Sequence, residues 1–399
     1  MLALLTRSRR MPGGLVFGPP AWTPREFLDA PAIPPHLPHE QSARAPHSRE
    51  DLLQLLDSLH LARTSDILPP LVDQLRDLEH RRCRDLVLNL LPTQPEFATG
   101  AALTALALED LRAGLSAIQR ALRAQTVLVV LDKHDAPTRR IWKKNARGHR
   151  PGHESVAYEL RPLLNRYPQA HPTPLARTLF GRRLQVGHLP SRAGRVFLDP
   201  VTAWAFGRYV RAGEPFSHRP LQLFFDRASA PPNSPPDARF ALARIGQPVA
   251  ELLSHHHISI DNRQIILNGM LAGEEVDPLL ATITPWTDAI AVRQPPVCET
   301  PHPCIACGWC VDVCPTSLIP IHLFDLANKA QHFIATAPIT PTGGGGLPTT
   351  PDPLRARPAR EALHCIACGL CSYVCPTRLP LTRQTLRLRN WILAEPPQT

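Results

Sequence analysis

CIACGWCVDVCP at residues 304–315 and CIACGLCSYVCP at residues 365–376 decide how the C-terminal part of this chain folds. Each stretch has four cysteines, with two residues between the first three, three residues before the fourth, and a proline directly after it. Two intervening residues let the backbone loop around three corners of an iron–sulfur cubane. The fourth thiolate must then arrive from elsewhere, and in two-cluster proteins it is the last cysteine of the other motif.

The spacing therefore predicts two [4Fe–4S] clusters with crossed ligation. One cluster is assigned to Cys304, Cys307, Cys310 and Cys375, and the other to Cys365, Cys368, Cys371 and Cys314. Structural zinc is the alternative, but zinc sites take four ligands with a longer gap between the pairs. Crossed ligation makes the clusters close neighbours, so single electrons pass between them, and no catalytic residue is implied.

Two further cysteines lie outside these motifs. Cys83 follows Arg81 and Arg82, whose charges would favour a thiolate if the sulfur were exposed. Free cysteine is usually buried, so we expect Cys83 to be a small core residue. Cys298 lies just before the first motif, and we expect it to pack against that motif.

Composition sets the broad class of the protein. The net charge is +10, and four of the 44 basic residues are lysines, which indicates a compositional bias towards arginine. The basic cluster at Arg139–Arg150 is a candidate docking patch, but no nucleic-acid motif surrounds it, so we expect no nucleic-acid partner. No run of 18 apolar residues occurs, and the arginines of Met1–Met11 follow the apolar start, an order unlike that of a secretory signal. We expect a cytoplasmic protein that is peripheral on the inner membrane through partner subunits.

The hydrophobic pattern predicts an α/β plus α+β protein. Apolar runs at residues 85–91, 126–131 and 195–199 predict strands, and residues 101–123, 155–164 and 201–211 predict helices. This alternation is typical of a parallel α/β layer. The predicted domains are a proline-rich arm (1–45), a Rossmann-like domain (46–211), a small β-grasp-like (SLBB-type) domain (212–285), and a mostly helical two-cluster ferredoxin-type domain (290–399) with a loop insertion (338–358).

The two cysteine stretches, continued to Leu326 and Leu381, resemble the cluster domain of the C subunit of the ion-translocating Rnf (Rsx) electron-transport complex. Upstream, GEPFSHRPLQLFF from Gly213 and RIGQPVAELL from Arg244 resemble that family's β-grasp-like domain. Residues 101–131 resemble its Rossmann-like flavin domain, which is shared with the NADH-oxidising subunit of respiratory complex I. The resemblance implies an electron-transfer subunit of a membrane redox complex.

The chain departs from the family where the flavin should bind. The family has a glycine-rich loop after the first helix, but here LHLARTSDILPPLVDQL occupies residues 59–75, and no glycine occurs between Pro19 and Thr99. Backbone N–H groups cradle a phosphate only where residues tolerate close approach, which is the role of glycine. The sequence therefore argues against FMN and against NADH binding, and residues 46–210 are interpreted as a scaffold.

The leading hypothesis is a divergent C-like subunit that relays single electrons between a soluble donor or acceptor and a membrane-associated complex. One alternative is an iron–sulfur subunit of a soluble dehydrogenase or reductase, similar to those of glycolate oxidase or heterodisulfide reductase. The other alternative is a non-catalytic scaffold whose clusters are structural.

Overall fold

The computed structural model describes residues 15–16, 45–295, 300–336 and 357–394, except for residues 60, 62, 66, 79–80, 96, 147–156, 182–187 and 226–238. The described residues divide into two compact units, one within 16–296 and the other from residue 300 onward. Most of the predicted N-terminal arm, Cys298 and nearly all of the predicted loop insertion lie outside the described residues. None of the described helices combines the length and the apolar character needed to cross a bilayer.

Residues 15–295 contain eight described α-helices and eleven described strands, and all of these residues except Leu15 belong to the first unit. The helices are α1 (Arg49–Ser58), α2 (Leu71–Leu78), α3 (Thr99–Leu106), α4 (Leu108–Leu122), α5 (Ala136–Ala146), α6 (Pro172–Phe180), α7 (Pro200–Ala212) and α8 (Val249–His255). The strands are β1 (Leu15–Val16), β2 (Asp85–Asn89), β3 (Thr126–Asp132), β4 (Glu159–Leu163), β5 (Arg166–Tyr167), β6 (Arg195–Leu198), β7 (His218–Phe225), β8 (Arg239–Arg244), β9 (Gln264–Leu267), β10 (Glu274–Val276) and β11 (Ala289–Arg293).

A four-stranded parallel sheet in the order β4-β3-β2-β6 forms the centre of the Rossmann-like part. The strands β2, β3 and β6 are buried apart from their first residues. Continuous apolar runs of this kind suit a parallel sheet that is covered on both faces. The predicted parallel α/β layer is therefore confirmed.

Two predicted helices differ in the structure. Residues 155–164 were predicted to be helical, but residues 159–163 form the edge strand β4. Pro162 explains the difference, because proline breaks a helix interior but is tolerated on an edge strand. The predicted helix at residues 101–123 is instead two helices, α3 and α4, which meet at Ala107 with a φ of −142°.

A mixed five-stranded sheet in the order β10-β9-β11-β7-β8 forms the second part of this unit. The strands β7 and β11 are parallel, whereas the other neighbours are antiparallel. Val249, Leu252 and Leu253 of α8 pack in one core with residues of β7, β9 and β11. A mixed sheet covered by one helix agrees with the predicted β-grasp-like fold, while the predicted domain bounds stay predictions.

The second unit is mostly helical, as predicted. Its elements are α9 (Trp309–Asp312), α10 (Pro320–Thr336), α11 (Arg357–Arg360), a 3-10 helix (Glu361–His364), α12 (Leu370–Tyr373) and α13 (Leu381–Ala394). Leu323, Ala327 and Ala330 of α10 share a buried core with Leu388 of α13. These two helices follow the two cysteine motifs, so their packing holds the motifs side by side.

Candidate iron–sulfur centre

The two cysteine motifs have the same backbone conformation. Ala306 and Ala367 have φ values of 55° and 57°, and Gly308 and Gly369 have φ values of 79° and 77°. Each glycine precedes a one-turn helix, α9 or α12. A left-handed conformation at matching positions turns the chain around a common centre, and glycine adopts it without strain. The motifs are therefore structural repeats as well as sequence repeats.

Backbone N–H groups point at cysteine sulfurs in both motifs. The N–H of Ala306 donates to Cys304 Sγ at 3.4 Å, and the N–H of Leu318 donates to Cys314 Sγ at 3.2 Å. The N–H of Ala367 also contacts the sulfur of Cys365. Donors of this kind stabilise thiolate ligands and tune a bound cluster.

Four of the predicted ligands, Cys314, Cys365, Cys368 and Cys371, line one cavity. The other lining residues are Pro315, Thr316, Leu318, Pro320, Leu323, Ile366, Gly369, Leu370, Thr382 and Thr385. Burial raises the pKa of Cys368 to about 12 and that of Cys371 to about 11, and the neighbouring thiols, Cys314 among them, contribute to both increases. The last cysteine of the first motif thus lies beside the first three cysteines of the second.

The thiols of the first motif lie nearer the surface. Cys304 and Cys307 are exposed, whereas Cys310 is partly buried. Burial raises the pKa of Cys310, and the nearby Cys307 and Cys304 add to this increase. Ile305, next to Cys304, is 64% exposed, and Trp309 is also exposed. The three thiols are neighbours at an open, apolar part of the surface.

Cys375 is the last cysteine of the second motif, and the backbone just after it contacts the start of the first motif. Its sulfur lies 3.3 Å from the Thr377 hydroxyl. The carbonyl of Thr377 accepts a hydrogen bond of 3.1 Å from the N–H of His302. His302 is two residues before Cys304, and Thr377 is two residues after Cys375. The backbone therefore joins the start of the first motif to the end of the second.

The chemistry of these side chains fits an iron–sulfur cubane. Among the residues that the structure describes, no three His, Cys, Asp or Glu side chains are arranged as ligands of a single metal ion. The thiols of Cys314, Cys365, Cys368 and Cys371 instead surround a cavity, as the corners of a cubane require. Because burial raises the pKa of Cys368 and Cys371 well above neutral pH, their thiols carry protons that binding of iron must release.

Two hydroxyl side chains near the second motif were not singled out from the sequence. Thr382 Oγ1 lies 3.2 Å from Cys371 Sγ, and Ser372 Oγ donates to Thr382 Oγ1 at 3.0 Å. A residue-by-residue comparison of the two repeats is the sequence signal that finds them, because the first motif has Val311 and Ile321 at the same places.

Cys83 is a core residue, as predicted. Its side chain is 1% exposed, and burial, followed by the charge of Asp85, raises its pKa to about 12. The neighbouring arginines therefore do not produce a reactive thiolate.

The loop predicted to have lost the flavin site lies at the carboxyl edge of the parallel sheet, where open α/β sheets bind their ligands. Thr64 Oγ1 of this loop donates to Asp199 Oδ2 at 2.8 Å. Asp199 follows β6 and caps α7, since Oδ1 accepts the N–H groups of Val201 and Thr202 at 2.9 Å each. A carboxylate of the chain itself thus occupies the helix N-terminus at this edge.

Arg219 of β7 binds the same loop from the mixed sheet. The guanidinium is 0% exposed and donates to the carbonyls of Thr64 and Thr287 at 2.6 Å each. It also forms an ion pair with Asp288. The loop is therefore held by buried polar groups of the chain.

Comparisons with known proteins agree with this centre. Residues 303–380 match the 4Fe-4S dicluster domain family. Over 189 residues, 45% of the chain, the sequence is 31% identical to the C subunit of the ion-translocating oxidoreductase complex of Salmonella typhimurium and 30% identical to that of Citrobacter koseri. This chain is a relative of these C subunits. The resemblance predicted from the sequence is confirmed, although the match spans only 24% and 25% of the length of these two relatives.

The fold is also similar to that of solved structures. A chain of an NAD+-reducing [NiFe]-hydrogenase in the H2-reduced state aligns with a TM-score of 0.54 and 16% identity, covering 90% of this chain and 65% of that one. The air-oxidised state gives a TM-score of 0.53 and 14% identity, covering 86% of this chain and 64% of that one. This likeness supports the fold alone.

Proposed function

We propose that this relative of the C subunits binds two [4Fe–4S] clusters and transfers single electrons between them. The observation that carries the proposal is the cavity shared by Cys314 with Cys365, Cys368 and Cys371. In an uncrossed arrangement Cys314 would instead join the three preceding cysteines of its own motif. The second cluster is accordingly assigned to Cys365, Cys368, Cys371 and Cys314.

The first cluster is assigned to Cys304, Cys307, Cys310 and Cys375. The hydrogen bond between His302 and Thr377 supports this set, because it joins the segments next to Cys304 and Cys375. The matching backbone of the two motifs supports it independently. If the last cysteine of the first motif is a ligand of the second cluster, the last cysteine of the equivalent second motif is expected to be a ligand of the first cluster. Two clusters held by such interleaved motifs lie close enough for electron transfer.

The cellular role follows from the relatives. Their name describes an ion-translocating oxidoreductase complex, and a dicluster protein within such a complex conducts electrons. We infer that this chain passes electrons between a soluble carrier and the membrane-associated subunits of a related complex, and that these partners hold it at the inner membrane. Ion translocation would belong to those subunits.

The first cluster is the better candidate for exchange with an external carrier. Cys304 and Cys307 are exposed, whereas the thiols in the cavity of the second cluster are partly buried. Electron transfer favours short distances, so the cluster nearer the surface meets an incoming carrier first. The second cluster then serves as the inner site of the pair.

We infer that the Rossmann-like part holds no FMN. Asp199 caps the helix N-terminus at the carboxyl edge of the sheet, and Thr64 of the neighbouring loop is bonded to it. A flavin phosphate would meet a carboxylate there, and like charges at close range repel each other. This part of the chain is a scaffold in our account.

Anaerobic cluster reconstitution of the full chain tests the proposal. We expect iron and sulfide for two cubanes, two interacting EPR signals after reduction, and no flavin released on acid denaturation. Zinc without iron, or iron for a single cubane, would overturn it. Rapid transfer of electrons from a reduced soluble carrier distinguishes an electron-transfer subunit from a scaffold with structural clusters.

Co-purification distinguishes the two electron-transfer hypotheses. A tagged chain expressed in its source is expected to bring down integral membrane subunits after mild detergent extraction. Recovery with a soluble dehydrogenase or reductase instead would favour the alternative.

A further inference from the structure

The two motifs differ at one pair of positions that touches a predicted ligand. Counted from the first cysteine of each motif, Ser372 and Thr382 of the second correspond to Val311 and Ile321 of the first. The backbone of the two motifs is the same around these cysteines, so the difference is one of side-chain chemistry. The first motif has two apolar side chains where the second has two hydroxyls. Ser372 and Thr382 are named here the hydroxyl pair.

The hydroxyl pair forms a directed chain of hydrogen bonds that ends on a sulfur. The N–H of Thr382 donates to Ser372 Oγ at 2.9 Å, and Ser372 Oγ donates to Thr382 Oγ1 at 3.0 Å. Thr382 Oγ1 lies 3.2 Å from Cys371 Sγ. A thiolate ligand only accepts hydrogen bonds, so the Thr382 hydroxyl donates to it. Ser372 supports this direction by supplying the hydrogen bond that the Thr382 oxygen accepts.

The corresponding sulfur of the first motif lacks a hydroxyl donor of this kind, because Val311 and Ile321 carry none. Cys310 accepts a hydrogen bond from the backbone N–H of Ile321 instead. The hydroxyl pair therefore acts on the second cluster alone. Thr385 provides an internal contrast, because it lines the same cavity but its hydroxyl donates to the carbonyl of Leu381 at 2.8 Å.

Two opposing effects act on the second cluster. Adding one electron makes a thiolate-bound cluster more negative, and burial disfavours the more charged form, which lowers the reduction potential. A hydrogen bond donated to a ligand sulfur favours the more charged form and raises the potential. The second cluster has both the more buried thiols and the hydroxyl pair.

We propose that Ser372 and Thr382 are tuning residues that selectively raise the reduction potential of the second cluster and so offset its burial. This inference rests on the proposed crossed ligation, which places Cys371 in the second cluster. The pair keeps the inner cluster reducible by an electron that arrives at the outer one. Each transfer is a one-electron step in which one cluster is oxidised and the other reduced, with no bond made or broken.

Redox titration of the reconstituted full chain, followed by EPR, tests the proposal. We expect Thr382→Val to lower the reduced-to-oxidised ratio of one cluster by about tenfold at a fixed potential, a shift of about 59 mV for one electron. Ser372→Ala should shift the same cluster in the same direction by less, because the Thr382 hydroxyl remains. Thr385→Val should shift the potential of this cluster much less than Thr382→Val, because the Thr385 hydroxyl donates to the carbonyl of Leu381 and not to a sulfur. The EPR signal that Cys368→Ser removes identifies the second cluster.

The outcomes separate this inference from the proposed function. Iron for fewer than two cubanes in the wild-type chain would overturn the function itself. Two intact clusters in Thr382→Val with unchanged potentials, or an equal shift in Thr385→Val, would overturn only the tuning role. A shift in the first cluster would overturn it as well, because Thr382 would then act through general packing.

Discussion

The backbone N–H of His302 donates a hydrogen bond of 3.1 Å to the carbonyl of Thr377. These residues are 75 positions apart by number (377 − 302), yet each lies two positions from a predicted ligand, Cys304 or Cys375. The bond joins the entrance of the first motif to the exit of the second. Cys314, the last cysteine of the first motif, in turn lines the same cavity as Cys365, Cys368 and Cys371 of the second motif. Both relationships are what crossed ligation requires.

Unequal exposure of the two thiol sets predicts unequal chemical lability. Cys304 and Cys307 are exposed, so oxidants and chelators reach the first cluster more readily than the second. We expect iron release by a chelator under mild oxidation to be biphasic, with the first cluster lost several-fold faster. EPR spectra recorded during the reaction, compared with those of Cys307→Ser and Cys368→Ser, assign the phases. Simultaneous loss of both clusters, or earlier loss of the second, would contradict this.

Because the Cys83 thiol is buried, we expect it to lower the stability of the folded chain at alkaline pH. Burial raises its pKa from about 9 to about 12 in the folded chain. Between these values the folded thiol keeps its proton while the unfolded thiol loses it, so the free energy of unfolding falls as pH rises. We expect Cys83→Ala to reduce this slope above pH 9, whatever its stability at neutral pH. Urea unfolding at several pH values, followed by tryptophan fluorescence, measures it, and identical slopes would show that the thiol titrates normally.

We expect substitution of the buried Arg219 to lower the stability of the fold strongly. Its buried guanidinium binds Asp288 and the carbonyls of Thr64 and Thr287. Removing one partner of a buried ion pair leaves an uncompensated charge and costs roughly 3–5 kcal/mol. We expect Arg219→Met to lower the free energy of unfolding by about this amount without changing the two cluster potentials.

A matched control for this prediction is Arg161→Met. Arg161 forms an exposed ion pair with Glu159, and such pairs contribute about 0–1 kcal/mol. Urea unfolding of both variants should therefore separate them clearly. Equal effects of the two substitutions would show that the buried network adds no stability.

Sequence predicted the parts of this protein that depend on local patterns. The cysteine spacing is a local signal, and the shared cavity of Cys314, Cys365, Cys368 and Cys371 agrees with it. Continuous apolar runs predicted β2, β3 and β6, because strands buried on both faces need apolar side chains throughout. The helical patterns of residues 319–334 and 381–393, which follow the two motifs, predict α10 and α13 to within about two residues, the usual uncertainty of helix ends.

Features that depend on distant partners were missed. The strand β4 is an exposed edge, so its apolar pattern is weak, and only Pro162 argued against a helix. The parallel pairing of β7 with β11 joins residues far apart in sequence, and no local pattern encodes that register. Arg219 is fully buried although arginine is usually exposed, because its partners come from two distant segments, at Thr64 and at Thr287–Asp288.

Iron content and EPR of two double variants test crossed ligation most directly. Cys314→Ala with Cys368→Ala removes two ligands of the same proposed cluster, so the chain should retain iron for one cubane and the signal of the first cluster. Cys314→Ala with Cys307→Ala removes one ligand from each cluster, and both signals should be lost or altered. The reverse pattern, with one intact cluster in the second double variant and none in the first, would contradict the account.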